Sequence, residues 1–133
     1  MSLSQIVHSL EACLKKQQQV IFAYLFGSFA AGSPKPFSDL DIAVYLKDCD
    51  NFSETKLKIL EKLSDTLSTD DIDLVVLNTA SLPLAINILK KKRVLVDKQP
   101  YVRHVFESLT MRKYFDFSIK ESAILKRRYL NGR

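Results

Sequence analysis

The most constraining feature of this chain is a Gly-Ser pair that is followed, after ten residues, by an Asp-x-Asp pair. Gly27 and Ser28 come directly after the apolar run 20–26, and Asp39 and Asp41 lead into a second apolar run. This pattern predicts a strand, a tight turn and a second strand. Because side chains alternate along a strand, we expect Asp39 and Asp41 to face the same side, about 7 Å apart at their Cα atoms.

A third carboxylate occurs in the next predicted strand. Asp73 stands among apolar neighbours in the run 72–77, and an ionised carboxylate there is costly unless a metal or a partner compensates it. If this strand lies beside the strand of Asp39 and Asp41, the three carboxylates could hold two Mg²⁺ ions. That arrangement supports in-line phosphoryl or nucleotidyl transfer. A glycine at 27 would also let the backbone approach a phosphate closely.

The spacing of two glycines invites a P-loop interpretation, which the sequence excludes. Gly27 and Gly32 are separated as in a P-loop, but Ser33 and Pro34 stand where that motif requires Lys followed by Ser or Thr. No lysine is therefore placed to reach the phosphates in the P-loop manner.

Strand and helix patterns alternate along the chain. The predicted elements, in order, are helix 3–18, strand 20–26, strand 39–46, a helix capped by Ser53, strand 72–77, a short helix after 78–81, strand 94–96 and one long or two broken helices over about 99–130. The helix after Ser53 is predicted to pack through Leu57, Leu60, Leu63 and Leu67. Strands that are apolar on both faces predict an α/β fold, a small mixed twisted sheet flanked by helices, with C-terminal helices.

The length and composition fit one domain over 1–133, with a core at 3–97 and a helical part at 99–133. No apolar run approaches the roughly 18–20 residues that span a bilayer, and the first residues lack the pattern of a signal peptide. Cys13 and Cys49 have no metal-binding spacing. We therefore expect a cytoplasmic protein with reduced thiols, in which Cys13 belongs to the core.

The charge of the chain is unevenly distributed. Residues 1–89 carry 7 basic and 11 acidic side chains, whereas residues 90–133 carry 13 basic and 4 acidic ones. The basic part could attract a nucleotide, a nucleic acid or an acidic partner, or it could be solvated helix ends. Few aromatic residues alternate with the charges, so a nucleic acid is the least favoured partner.

The Gly-Ser-x10-Asp-x-Asp motif with a later strand Asp resembles the signature of the DNA polymerase β nucleotidyltransferase superfamily. The phrase Gly-Ser-Phe-Ala-x-Gly…Ser-Asp-Leu-Asp-Ile-Ala-Val, at 27–44, is similar to its minimal nucleotidyltransferase (MNT) branch. Residues 3–97 match the order of the family core, and 99–133 resemble its C-terminal helical part.

The resemblance implies a Mg²⁺-dependent nucleotidyltransferase that acts as an antitoxin. It implies transfer of AMP from ATP to a tyrosine hydroxyl of a HEPN ribonuclease toxin, which silences that toxin. The match to the family motif implies that Gly27 and Ser28 hold the triphosphate and that Asp39 and Asp41 bind the metals. It also implies that Asp73 completes the metal site and acts as the general base. Ala31 departs from the family, since relatives often carry Arg there, and Lys35 is the candidate to replace that phosphate contact.

Two alternatives stay open at this point. The chain could transfer a nucleotide to a small molecule such as an aminoglycoside, although such relatives usually carry a sizeable second domain and only about 35 residues follow the core here. It could also be a binding module that neutralises a partner by occlusion, although the carboxylate triad argues against occlusion alone. The chain is not predicted to be the toxin, because no Arg stands at the Arg-x4–6-His spacing before His104.

Overall fold

A mixed sheet of four strands organises the described part of the chain. The structure is a computed structural model that describes residues 2–27, 39–48 and 50–127. Its strands are β1 (Val20–Phe26), β2 (Leu40–Leu46), β3 (Ile72–Val76) and β4 (Arg93–Asp97), in the order β3-β2-β1-β4. β1 pairs antiparallel with β2 and β4, whereas β2 and β3 run parallel. The predicted small mixed sheet is confirmed.

Helices are described on both sides of this sheet. They are α1 (Leu3–Lys15), α2 (Phe52–Leu67), α3 (Leu82–Lys90) and α4 (Pro100–Arg127), with a 3₁₀ turn at Leu77–Thr79 before α3. The sequence left one or two helices open for its C-terminal part, and the structure has the single helix α4. The first helix ends at Lys15, three residues before its predicted end at 18.

Each face of the sheet has its own hydrophobic core. On one face, the strands bury side chains against α1 and α2, with Leu10 and Leu63 fully buried and Cys13 8% exposed. On the other face, an aromatic cluster packs beneath α4: the rings of Phe22 and Tyr45 stack at 4.9 Å, and Phe106 lies 5.7 Å from Phe22. Burial on both sides explains why β1 is apolar throughout.

The predicted cap of α2 is wrong. The helix begins at Phe52, so Ser53 lies inside its first turn, and the cap is Asn51, whose extended backbone places Oδ1 to accept the Glu54 N–H at 3.1 Å. An N-cap residue must precede the helix with non-helical dihedral angles. Both Asn51 and Ser53 belong to a residue class that caps helices, and the sequence alone did not distinguish them.

The predicted buried face of α2 is also partly wrong. Ile59 and Leu63 are its buried residues, at 2% and 0% exposure, whereas Leu57 is 63% exposed. Leu60 and Leu67 are partly buried against the same core. Leu57 lies about 160° around the helix from Ile59, given 3.6 residues per turn, and so points away from the sheet.

The long helix α4 is covered only over its first half. Val102, Phe106 and Thr110 pack towards the sheet, but from 111 to 124 every side chain except that of Ser118 is exposed. In the ranges that the structure describes, no helix combines the length and apolar character needed to cross a membrane.

Candidate active site

Asp41 and Asp73 lie side by side on neighbouring strands. They are register partners in the parallel ladder of β2 and β3, where adjacent strands are about 4.8 Å apart and residues in register project from one face. Asp73 is exposed and Asp41 is partly buried. The expectation that the strand of Asp73 lies beside that of Asp41 is thereby confirmed.

The charge around Asp41 comes from two other carboxylates. Asp39 is exposed and directly precedes the first residue of β2. Burial raises the pKa of Asp41, and the negative charges of Asp73 and Asp39 raise it further. Burial and these charges therefore penalise the ionised form of Asp41, and a bound cation would relieve that penalty, which is the electrostatic character of a cation site.

Gly27 stands directly against Asp41. The antiparallel ladder pairs Phe26 with Asp41, and the next residue, Gly27, turns with φ +75°. A Cβ atom on Gly27 would lie 2.1 Å from Oδ2 of Asp41. Both the positive φ and this close approach require glycine, so the turn backbone lies next to the carboxylate.

The donor set fits a hard divalent cation such as Mg²⁺. Carboxylate oxygens are the protein ligands that Mg²⁺ prefers, and Asp41 and Asp73 supply them from adjacent register positions. Within 2–27, 39–48 and 50–127, however, no group of three or more His, Cys, Asp or Glu side chains is arranged to hold a metal ion. The carboxylates of Asp41 and Asp73 therefore fit the ion by their chemistry and charge. The negative charge of Asp39 also raises the pKa of Asp41.

Two of the predicted nucleotide contacts cannot be placed. Ser28 and Lys35 lie outside the described residues, as does Ala31. Their roles stay predictions.

A cavity of about 460 Å³ opens beside Asp73. It is lined by Asp73 and by residues of four other elements, including Phe26, Phe52, Lys56 and Leu84. Because β3 is an edge strand of the described sheet, this cavity runs between the sheet edge and the first turns of α2 and α3. The sequence did not indicate Phe52 and Lys56 as residues of the site, since no local pattern reveals that α2 begins next to this edge.

A polar network ties α4 to the sheet face that carries Asp41. The Tyr24 hydroxyl donates to Glu107 at 2.5 Å, Lys92 lies 3.1 Å from the same carboxylate, and Arg103 bridges Glu107 and Asp97 at 3.1 and 2.8 Å. Burial is the largest influence on Glu107 and raises its pKa, but the hydrogen bond from Tyr24 and the two cations outweigh it, so the pKa is lowered. Burial, and then Glu107, raise the pKa of Tyr24.

Together, the mixed sheet, the glycine turn and the paired strand carboxylates define a nucleotidyltransferase-type fold and site. The chain belongs to the family described as Polymerase beta, Nucleotidyltransferase, whose family model matches residues 8–101. A comparison with curated proteins gave no match.

Solved structures share this fold over nearly their whole length. A chain from the crystal structure of "the toxin-antitoxin with AMP-PNP" is 26% identical with a TM-score of 0.74, over 90% of this chain and 95% of that one. A chain from a mutant of the toxin-antitoxin MntA-HpeT is 25% identical with a TM-score of 0.70, over 95% and 97%. A chain from the tri-AMPylated Shewanella oneidensis HEPN toxin in complex with MNT antitoxin, 23% identical with a TM-score of 0.71 over 94% and 97%, supports the fold alone.

Proposed function

We propose that this chain is an antitoxin that transfers AMP from ATP to a tyrosine hydroxyl of a cognate HEPN ribonuclease toxin. The observation that carries the proposal is the Asp41–Asp73 pair in adjacent register, with Gly27 against it. Membership of the nucleotidyltransferase family supports the class of reaction. The similar structure of a toxin-antitoxin with AMP-PNP supports both the nucleotide and the kind of partner.

In the proposed reaction, the tyrosine oxygen attacks the α-phosphorus of ATP while its proton passes to Asp73. The bond from the α-phosphorus to the oxygen that bridges to the β-phosphate breaks, and pyrophosphate leaves with that electron pair. The products are an AMP-tyrosine phosphodiester and pyrophosphate. Asp73 suits the role of general base because it is exposed beside a cavity, where an acceptor hydroxyl can reach its carboxylate.

The other carboxylates have a binding role in the proposal. Asp39 and Asp41 would hold two Mg²⁺ ions, with Asp73 completing the set. When bound, these ions would neutralise triphosphate charge and lower the pKa of the attacking hydroxyl. A cation would relieve the penalty that burial and two acidic neighbours place on the ionised form of Asp41.

The phosphates would lie along the turn after β1. Gly27 lets the backbone approach closely, because a side chain there would collide with Asp41. Ser28 and Lys35 are the proposed further contacts to the triphosphate, and a Lys35→Ala variant with weaker ATP binding would support that role.

The cavity beside Asp73 suits an aromatic acceptor. Its walls include the apolar side chains of Phe26, Phe52 and Leu84, and a tyrosine ring between them would bring its hydroxyl to the carboxylate. In the described residues, the cavity is bordered by β3, by Phe26 of β1, by the 3₁₀ turn and by two helix starts, and it lies at the sheet edge. A protein acceptor that reaches this edge with its own surrounding surface therefore fits better than a small molecule.

The test is intact-mass spectrometry of the proposed cognate HEPN-domain protein, co-expressed with this chain. We expect a gain of one or more AMP units with the wild-type chain and none with the Asp39→Asn, Asp41→Asn double variant. Asp71→Asn is the matched control, since this exposed aspartate precedes β3 outside the carboxylate pair; it should leave the modification intact.

Two results would overturn the proposal in favour of its alternatives. A HEPN protein that is inhibited without any gain in mass would assign neutralisation by occlusion. Transfer of AMP to an aminoglycoside but not to the HEPN protein would assign a small-molecule nucleotidyltransferase.

A further inference from the structure

We propose that the HEPN toxin docks in a groove between α3 and α4, which presents an apolar stripe bordered by cations. The identity of the partner rests on the proposed function. The groove has a volume of about 570 Å³, and its lining includes Leu89, Lys90, Met111, Arg112 and Phe115. We call these residues, with Ile119 beside them, the docking groove.

The apolar character of the docking groove comes from side chains exposed on α4. Met111, Phe115 and Ile119 are 61%, 64% and 53% exposed. Their spacing of four residues places them in one stripe along the helix. A contiguous exposed stripe of large apolar side chains is a mark of an interaction site, because the exposure of apolar surface to water is unfavourable and a partner that covers it removes that cost.

The charges around the groove indicate which partner covers it. Lys90 and Arg112 border the apolar stripe, and Lys90 is held over the ring of Tyr114 at 5.4 Å from its centroid. Glu107, at the base of the groove, is already paired with Lys92 and Arg103. The cations at the border therefore favour a partner whose apolar side chains are flanked by Asp or Glu.

The same charges argue against a second copy of this chain as the occupant. Residues 90–133 carry 13 basic and 4 acidic side chains. Two copies that met through this groove would bring Lys90 and Arg112 against a surface of the same sign, at a cost in affinity. A toxin with acidic side chains around its apolar contact avoids that cost.

The groove is fixed to the sheet face that carries the carboxylates. The hydrogen bond of 2.5 Å between Tyr24 and Glu107 anchors α4 one turn before Met111. On β1, Tyr24 is two residues before Phe26, the ladder partner of Asp41. A preformed surface loses little conformational entropy on binding, and here it also keeps the docked toxin at one position relative to Asp41.

The first test measures, by calorimetry, the affinity of the full chain for its purified cognate HEPN-domain protein. A Met111→Ala, Phe115→Ala double variant should raise Kd at least about tenfold, as expected when anchor side chains are truncated. Phe117→Ala is the matched control, because Phe117 is 52% exposed on the same helix but about 160° around it from Phe115. It should leave Kd unchanged, and an equal loss in both variants would overturn the groove assignment.

The second test concerns the charges. Arg112→Glu should slow association and weaken the salt dependence of the association rate, because an anion would replace one of the cations at the rim while Lys90 remains. Association at the wild-type rate, with the wild-type salt dependence, would overturn the inference of an acidic partner surface.

Docking and catalysis are separable in these measurements. The Asp39→Asn, Asp41→Asn double variant should bind the HEPN protein with wild-type Kd while transferring no AMP. The Met111→Ala, Phe115→Ala variant should still bind AMP-PNP. If the wild-type chain binds the toxin through the groove but transfers no AMP, the docking inference stands and the proposed function is overturned instead.

Sedimentation tests whether a second copy of this chain occupies the groove. A wild-type dimer that Phe115→Ala dissociates, with the affinity for the toxin unchanged, would assign the groove to a second copy and overturn the inference.

Discussion

Asp41 of β2 and Asp73 of β3 are partners in a parallel ladder, although the whole of α2 separates them in the sequence. Parallel pairing brings both carboxylates to the same level of the same sheet face. Asp39 adds its charge from the residue before β2, and the pKa of Asp41 is raised by burial first and by these two neighbours next. The candidate site is therefore electrostatically unfavourable by itself and favourable for a cation.

The first prediction is that Asp41→Asn raises the melting temperature at pH 7 when divalent cations are chelated. The folded state holds the Asp41 pKa above its ordinary value of 3.8. The stability linked to this group is therefore fully present below the unfolded pKa and is lost as pH rises through the raised folded pKa. An asparagine has no such loss, so the difference between variant and wild type should shrink as pH is lowered towards 4. Thermal unfolding in EDTA between pH 4 and 7 measures it, and a lower melting temperature of the variant at pH 7 would contradict it.

The second prediction separates binding from chemistry. Asp73→Asn should slow AMP transfer by at least about 10²-fold, the lower end of what a positioned general base supplies. Binding of AMP-PNP should remain measurable, since Asp39 and Asp41 are unchanged. Single-turnover transfer and calorimetry give the two values, and Asp71→Asn serves as the control with wild-type rates. A wild-type rate for Asp73→Asn would make Asp73 a structural residue.

The third prediction concerns the turn after β1. Gly27→Ala should lower the free energy of unfolding by about 1–3 kcal/mol, because an L-residue is strained at positive φ, and by more where the new Cβ collides with Asp41, 2.1 Å from its Oδ2. In an Asp41→Ala background the collisions with Oδ2 and Cγ disappear, so that only the strain and a Cβ–Cβ contact of 3.3 Å should remain. Urea denaturation of the wild type, the two single variants and the double variant gives the coupling free energy between positions 27 and 41. An equal cost of Gly27→Ala in both backgrounds would exclude the close approach.

The fourth prediction addresses the network that anchors α4. Glu107→Gln should lower the free energy of unfolding by about 1–3 kcal/mol at pH 7, since Lys92 and Arg103 lose their charged partner. The folded pKa of Glu107 is lowered, so its stabilisation is present above the unfolded pKa and is lost as pH falls through the folded pKa. The exposed Glu121 on the same helix is the control: Glu121→Gln should stay within about 0.5 kcal/mol of wild type.

The fifth prediction tests the corrected cap of α2. Asn51→Ala should destabilise the protein by about 0.5–2 kcal/mol, because the Glu54 N–H loses the acceptor that it has at 3.1 Å. Ser53→Ala is a matched change two residues on, and it should have little effect on stability. Chemical denaturation of both variants is sufficient. A larger loss from Ser53→Ala would restore the cap that the sequence suggested.

Several features of the fold could be predicted because they depend on local patterns. β1 was predicted with its observed bounds, Val20–Phe26, since a strand covered on both faces must be apolar throughout. The short helix predicted after 78–81 is α3, which begins at Leu82 and has Pro83 in its first turn, where the missing N–H of proline costs nothing. The order of strands and helices could likewise be predicted, because apolar runs typical of strands alternate along the chain with the 3.6-residue apolar pattern of helices.

The elements whose packing depends on distant partners could not be predicted in the same way. The leucine pattern of α2 suggested that Leu57 is buried, but the helix face that packs against the sheet is the one that carries Ile59 and Leu63. In α4, the apolar residues Phe115 and Ile119 predicted a helix without revealing that nothing within the described residues covers them. Periodicity reports which residues can share a face and does not report which surface receives it.

The sequence by itself determined the glycine turn, the carboxylates and the strands that carry them, because these follow from residue type and a period of two. Only the tertiary structure decided that Asp41 is in register with Asp73, that Gly27 lies directly against the Asp41 side chain, and that Glu107 accepts a hydrogen bond from Tyr24. These relationships join segments that are not adjacent in the sequence. The physical reason is that their geometry depends on strand order and helix packing, which are set by the burial of the entire chain rather than by any local stretch of it.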